Sequence, residues 1–279
     1  MTLQELKVQA VQTRKALLSM IYHAKTGHTG GALSSADIMT ALFFHVLKLD
    51  PSNPFWEERD YFILSKGHCV EGYLAVLAER GFFPPEELET FSRFKSRLIG
   101  HPNNKIPGIE MNTGALGHGL SISVGMAIGL KKDRKTNRVF TLMGDGEQAE
   151  GSVWEAAMAA GHYKLDNLVA IIDRNHLQIS GSTEDVMSLE PLAARWESFG
   201  WEVKEIDGNA MDEVVQALTS TPLKPEKPTL IIAHTIKGKG VKAMENVASW
   251  HHGVPNKGLY EEAMAAFTRL EEELRNAKL

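Results

Sequence analysis

The stretch VFTLMGDGEQAEGSVWEAAMAAGHYKLDNLVAIIDRN, residues 139–175, decides the fold class. Val139 to Met143 is a continuous apolar run of strand length, and Leu168 to Ile172 is a second. Between them, Gly151 to Tyr163 has the apolar spacing of a helix. A strand, a crossover helix and a second strand of this size make a parallel βαβ unit. One loop lies beyond each strand: Gly144-Asp145-Gly146-Glu147 after the first, Asp173-Arg174-Asn175 after the second.

The same alternation extends outward. Asp60 to Ser65 predicts a short buried strand running into Lys66-Gly67-His68, followed by a helix from about Val70 to Glu79. Trp201 to Ile206 and Thr229 to Ala233 predict further strands, each preceded by helical patterning, with a proline-rich connector from Thr221 to Pro228. Residues 3 to 26 predict a helix. The glycine-rich run Thr26 to Gly31 stops it as a turn, and Ala36 to Leu47 resumes as helix behind Ser34, Ser35 and Asp37. Tyr260 to Asn276 closes the chain as a charged amphipathic helix, and no internal repeat is found. The pattern predicts an α/β fold: a doubly wound, mainly parallel sheet with helices on both faces, in one domain over residues 1–279. At 279 residues and 43% hydrophobic, the chain can bury a core of that size.

A formal charge of −5 with no basic block argues against a general nucleic-acid or anionic-membrane role, and leaves room for local phosphate sites. Cys69, the single cysteine, rules out an internal disulfide framework and cannot build a thiolate metal site alone. The N-terminus reads as an amphipathic helix, not a signal peptide, and no stretch reaches the roughly 20 apolar residues a bilayer span requires. The expectation is a soluble cytoplasmic protein with small-molecule ligands.

Asp145 and Asn175 stand 30 residues apart, at the ends of strands that the βαβ geometry makes neighbours. Their oxygens converge there, which suits a hard cation. Magnesium takes few protein ligands and completes its shell with phosphate and water, so two side chains and a backbone carbonyl suffice. Gly144 and Gly146 let the backbone approach a diphosphate. A Gly-Asp-Gly tripeptide is by itself more often a plain turn; the preceding strand, the following helix and the asparagine on the next strand set this one apart.

The segment GDGEQAEGSVWEAAMAAGHYKLDNLVAIIDRNHLQISG resembles the thiamine-diphosphate motif of transketolases. That resemblance implies Mg2+, or another divalent cation, held by Asp145, Asn175 and the backbone carbonyl of Leu177, with Gly146 against the diphosphate. It covers nearly the whole chain. Thr26 to Gly31 is similar to the family's first histidine loop, although Thr29 stands where proline is usual. Ser65-Lys66-Gly67-His68, Gly100-His101-Pro102 and Trp250-His251-His252-Gly253 match three others in the family's order. Gly114-Ala115-Leu116-Gly117-His118 is similar to a fifth loop, with Ala115 and His118 in place of proline and glutamine, so no role is carried over to His118.

By this resemblance His68 and His252 contact the diphosphate, and Gly114, Ala115 and Leu116 contact the aminopyrimidine side. His28, His101 and His252 line the channel to the reacting carbon, where they bind sugar hydroxyls and move protons. His23, His45, His162 and His234 sit inside helix or strand patterns and read as structural; His251 is left open. Glu150 aligns with a glutamate at the family's subunit interface. Transketolases are about twice as long and carry in their second half the glutamate that activates the aminopyrimidine. The resemblance therefore implies a separate C-terminal, pyrimidine-domain subunit in an α2β2 assembly. The implied reaction moves a two-carbon ketol unit from a ketose to an aldose, free or phosphorylated. The alternatives are a deoxyxylulose-phosphate-synthase-like half and a catalytically silent cofactor-binding subunit.

Overall fold

The computed structural model describes residues 1–277, so Lys278 and Leu279 of the expected 1–279 domain lie outside the described residues. In chain order the elements are α1 (Leu3–Ala24), α2 (Thr29–Ser34), α3 (Ala36–Ala41), β1 (Tyr61–Leu64), α4 (Val70–Arg80), α5 (His118–Lys132) and β2 (Val139–Gly144). There follow α6 (Gly151–His162), β3 (Leu168–Arg174), β4 (Leu177–Gln178), β5 (Gly181–Ser182), α7 (Thr183–Val186) and α8 (Leu192–Ser198). The last are β6 (Glu202–Asp207), α9 (Met211–Thr219), β7 (Thr229–His234) and α10 (Lys257–Asn276).

Five strands form one sheet in the order β1-β2-β3-β7-β6, every pair parallel. Parallel strands need crossovers, and the helices that make them cover both faces. Strand residues alternate between two cores accordingly. Phe140, Leu142, Val169, Ile171 and Ile231 pack with α1, α3, α4 and α9. Val139, Met143, Ala170, Ile172 and Ile232 pack with α5, α6 and α8. On that second face Trp196 and Trp201 meet edge to face at 4.8 Å, and the Trp201 indole N–H donates to the Ala157 carbonyl at 2.9 Å. Among the described residues no helix is long and apolar enough to cross a membrane.

Two local expectations change. The α1 helix opens on a capping box between Thr2 and Glu5, and it ends at Lys25, whose φ of 58° is left-handed. Gly27, with φ 156°, lies in the break as expected, but the two glycines that follow do not form a turn. Gly30 and Gly31 lie inside α2, because a Cβ at Gly30 would meet the Trp250 carbonyl oxygen at 2.7 Å and one at Gly31 the Cys69 Sγ at 2.5 Å. Close packing selects them, not turn geometry. The helix expected to run to Leu47 leaves α geometry at Ala41 and finishes as a π turn over Leu42–Val46.

Candidate functional site

In an open parallel sheet the loops at the carboxyl ends of the strands meet at one edge, where ligands bind. Here β1 delivers Lys66 and His68, β2 delivers Asp145, β3 delivers Asn175, and β7 delivers Lys237. The register pairs Gly144 with Asp173, so the two loops expected to converge lie side by side. They open on a cavity of about 290 Å³ whose lining includes His28, His68, Gly114, Leu116, Asp145, Gly146, Asn175 and Leu177.

Asp145 is buried. Its Oδ1 accepts the Gly146 N–H at 2.8 Å, and its Oδ2 accepts the His176 N–H at 2.6 Å. Burial pushes its pKa up, as does the charge of Asp173, against the pull of Arg174 and the two N–H donors. Asp173 is fully buried. Burial alone would raise its pKa, but Lys66 Nζ at 2.5 Å overrides this and holds it below the usual carboxylate range. Ser34 Oγ and Asn175 Nδ2 also donate to Asp173, at 2.6 and 3.1 Å, and Thr235 closes the set. With its amide nitrogen engaged there, Asn175 turns its oxygen away, where it accepts the Leu177 N–H at 3.2 Å. Lys237 Nζ donates to the Leu177 carbonyl at 2.9 Å and lies 3.2 Å from His251 Nδ1.

One carboxylate, one amide oxygen and one backbone carbonyl on a single cavity are an oxygen set that suits a hard cation. Among the described residues no cluster of three or more His, Cys, Asp or Glu side chains offers a softer centre. The cations Lys66 and Lys237 line the same cavity and suit an anionic group. The residues present therefore fit a metal-bound diphosphate. Close backbone packing shapes the cradle: a Cβ on Gly67 would meet the Gly114 nitrogen at 2.8 Å, and one on Gly146 the Gln178 Cβ at 3.0 Å. Glu147 fastens three loops, accepting from Ser65 Oγ, from Gly117 N–H at 2.8 Å and from Gly144 N–H at 2.9 Å.

The histidines gather at the mouth. The His28 loop is held to the last histidine loop by Gly253 N–H to Gly27 O at 3.2 Å and Thr29 Oγ1 to Gly253 O at 2.6 Å. The His28 ring centroid lies 5.0 Å from that of His68 and 4.7 Å from that of His252, and His251 stacks on His68 at 5.1 Å. Burial, then the neighbouring rings, lowers the pKa of His28 to about 3; burial, then Lys66, lowers His68 to about 4. Burial, then Lys237, takes His251 to about 3. At neutral pH these rings are uncharged, able both to donate and to accept.

His101, His252 and Ala115 are exposed and do not line the cavity itself; the His101 ring packs at Gly114, where a Cβ would meet its Cδ2 at 2.7 Å. His118 is exposed and bonds the Leu116 carbonyl at 3.0 Å, so it is not brought to the cavity. The undecided His251 joins the cluster. Sequence reasoning missed Lys237, although it follows a predicted strand in the glycine-rich loop Lys237-Gly238-Lys239-Gly240. It missed Lys66 too, although Lys66 stands in the Ser65-Lys66-Gly67-His68 motif.

Glu71 was missed as well, though it is a lone carboxylate in the otherwise apolar start of α4. Fully buried, it accepts the His28 backbone N–H on Oε1 at 2.9 Å, while Oε2 has no partner. Burial, and then Cys69, pushes its pKa from 4.5 to about 8. A raised folded-state value favours the fold fully below about 4.5 and loses that advantage as pH rises to about 8, by roughly 1.4 kcal/mol per unit. Glu71→Gln should therefore gain stability over the parent between pH 5 and 8, the gap widening with pH. Denaturant unfolding at several pH values checks this; parallel curves would mean that Glu71 ionises freely.

Comparison with known proteins agrees with this geometry. Residues 6–267 match the family model described as "Transketolase, thiamine diphosphate binding domain". The chain is 52% identical over 264 residues to an apulose-4-phosphate transketolase subunit of Phocaeicola vulgatus, covering 95% of this chain and 94% of that protein. It is 43% identical over 262 residues to "6-deoxy-6-sulfo-D-fructose transketolase subunit SqwG" of a Clostridium species, covering 94% and 95%. The crystal structure of transketolase from Campylobacter jejuni superposes with a TM-score of 0.88 at 32% identity, covering 99% of this chain and 47% of that one. The chain thus spans about half the length of that solved transketolase. On fold, site geometry and matched length together, the chain belongs to the transketolase family, as its thiamine-diphosphate-binding domain.

Proposed function

We propose that the chain, as one domain over residues 1–279, is the N-terminal subunit of a two-subunit transketolase. Asp145, Asn175 and the Leu177 carbonyl hold Mg2+, and through it the diphosphate of thiamine diphosphate; a separate C-terminal subunit completes the cleft, in an α2β2 assembly. The observation that carries this reading is the meeting, on one cavity, of an oxygen ligand set, two buried lysines and a cluster of neutral histidines. Names of full-length relatives that contain "transketolase subunit" support the division into two chains.

When bound, the cofactor supplies the nucleophilic carbon and the electron sink that carbon–carbon cleavage needs. The rest falls to this chain. Lys66 and Lys237 balance the diphosphate's charge, and His68 beside Lys66 donates to its oxygens. His28 and His252, 4.7 Å apart by ring centroid, with His101 beyond Gly114, hold the sugar's hydroxyls and pass protons at its carbonyl and alkoxide oxygens. The uncharged His28 ring suits this, since its two nitrogens offer one donor and one acceptor. The relatives' names support a ketose donor with an anionic end, phosphate or sulfonate.

The test separates two kinds of histidine. In the assembled enzyme His28→Ala and His101→Ala should lower kcat by roughly 100-fold with cofactor affinity kept, because a hydrogen bond to developing charge is lost. His68→Ala should chiefly weaken thiamine-diphosphate binding. Full turnover in His28→Ala on the true ketose would remove the proton-moving role.

A further inference from the structure

The cavity wall that includes Leu177 is thin. It belongs to the hairpin β4–β5, whose two-residue strands pair only Leu177 with Ser182 and Gln178 with Gly181. A ladder this short does not hold itself in place. Yet the hairpin lies against the Asp145 loop, close enough that a Cβ on Gly146 would meet Gln178. Something must pin its base.

Arg174, the last residue of β3, occupies that position. Its side chain is buried and its guanidinium reaches four acceptors. Nη1 donates to Thr183 Oγ1 at 2.7 Å and lies 3.4 Å from Asp145 Oδ2. Nη2 donates to Glu184 Oε1 at 2.8 Å and to Glu190 Oε1 at 2.9 Å. Thr183, Glu184 and Glu190 follow the hairpin, while Asp145 is the carboxylate proposed to bind the cation. The Thr183 N–H to His176 O bond, at 3.0 Å, closes the hairpin base just beside it. One planar fork therefore spans the cation ligand and the segment that follows the Leu177 wall, and a lysine's point charge cannot reproduce its directions.

We propose that Arg174 is a positioning residue that ties the 176–190 segment to Asp145, so that cation binding and ordering of the cavity wall are coupled. Three of its contacts hold the segment; the fourth and longest orients the Asp145 carboxylate. Partners of metal ligands act in this way, and their loss typically costs about 10- to 100-fold in affinity. This inference rests on the cation site proposed above.

The test uses the full chain, with Mg2+ and thiamine diphosphate as probes. Arg174→Met should raise amide exchange across residues 176–190 about tenfold without ligand, leaving β2 and β3 protected. It should weaken Mg2+-dependent thiamine-diphosphate binding, read by calorimetry, by about tenfold or more. Arg174→Lys should rescue neither. Should Arg174→Met fold poorly, Glu184→Ala combined with Thr183→Val removes two of the fork's three partners after the hairpin and should loosen the same segment. Wild-type exchange in that segment for Arg174→Met or for the double variant, or full rescue by lysine, overturns the proposal. If the wild-type chain itself binds thiamine diphosphate without Mg2+, the cation assignment falls instead, and the ligand-free exchange still judges Arg174.

Discussion

Asp145→Ala should abolish magnesium-dependent retention of thiamine diphosphate in the assembled enzyme and leave the sheet standing. The carboxylate sits beyond β2, outside both apolar clusters, so its loss opens no cavity in the core. What it leaves behind is local: the N–H groups of Gly146 and His176 lose their acceptor, and Arg174 keeps Glu184 and Glu190. A buried donor left unpaired costs roughly 1–3 kcal/mol, which a domain with about 5–15 kcal/mol of stability can survive. Binding has no such reserve. Asp145 is the only carboxylate in the proposed ligand set, and without it the diphosphate meets Lys66 and Lys237 with no bridging cation. A loss of at least about 100-fold in affinity is expected, above the range seen for outer partners of a metal ligand. Asp145→Asn is the companion, keeping an acceptor for one of the two N–H groups while removing the charge; it should fold no worse than alanine and bind nearly as poorly. Calorimetry on both variants decides: unchanged affinity in Asp145→Ala would end the metal assignment.

Much of this architecture could be read from the sequence because the deciding signals are local. Val139–Met143 and Leu168–Ile172 are apolar throughout, as strands buried on both faces must be, and the helix between them has a clear period. His28, His68 and His252 were legible because each stands in a loop with recognisable neighbours. What escaped depends on the sheet bringing distant loops together. Lys66 and Lys237 look like surface lysines until β1 and β7 place them beside Asp173 and Leu177. Glu71 reads as a polar interruption in a helix until the His28 backbone meets it. Arg174 reads in the sequence as one residue of a loop, yet its role depends on a hairpin too short to leave a period-2 pattern. The glycines of α2 misled for the same reason, since their neighbours Trp250 and Cys69 are remote in sequence.

The chain purified alone should turn over no sugar at any thiamine-diphosphate concentration. The cavity has the character of half a cleft. Its lining is rich in histidine, lysine, carboxylate and glycine, and Leu116, Leu177 and Ile179 are its large apolar side chains. Pockets that enclose a ring-bearing ligand bury most of its surface against apolar and aromatic groups. No aromatic carbocycle lines this one among the described residues, and Ile179 is 70% exposed on its wall. Of the carboxylates that line it, Glu147 and Asp173 are each held by several protein donors, and Asp145 is assigned to the proposed cation. Single-chain transketolases that this chain matches devote only 40–47% of their length to the matched region. On the proposed two-subunit reading, the facing wall and the activating carboxylate are expected from the C-terminal subunit. Its addition should restore turnover, with the rate levelling off as the two chains reach equal amounts. The decisive preparation is the chain freed of any host partner by denaturing purification and refolding, assayed with ketose donor, aldose acceptor, Mg2+ and cofactor. Clear turnover there would mean that this chain activates the cofactor unaided, and the two-subunit reading would have to be abandoned even if the metal site stood.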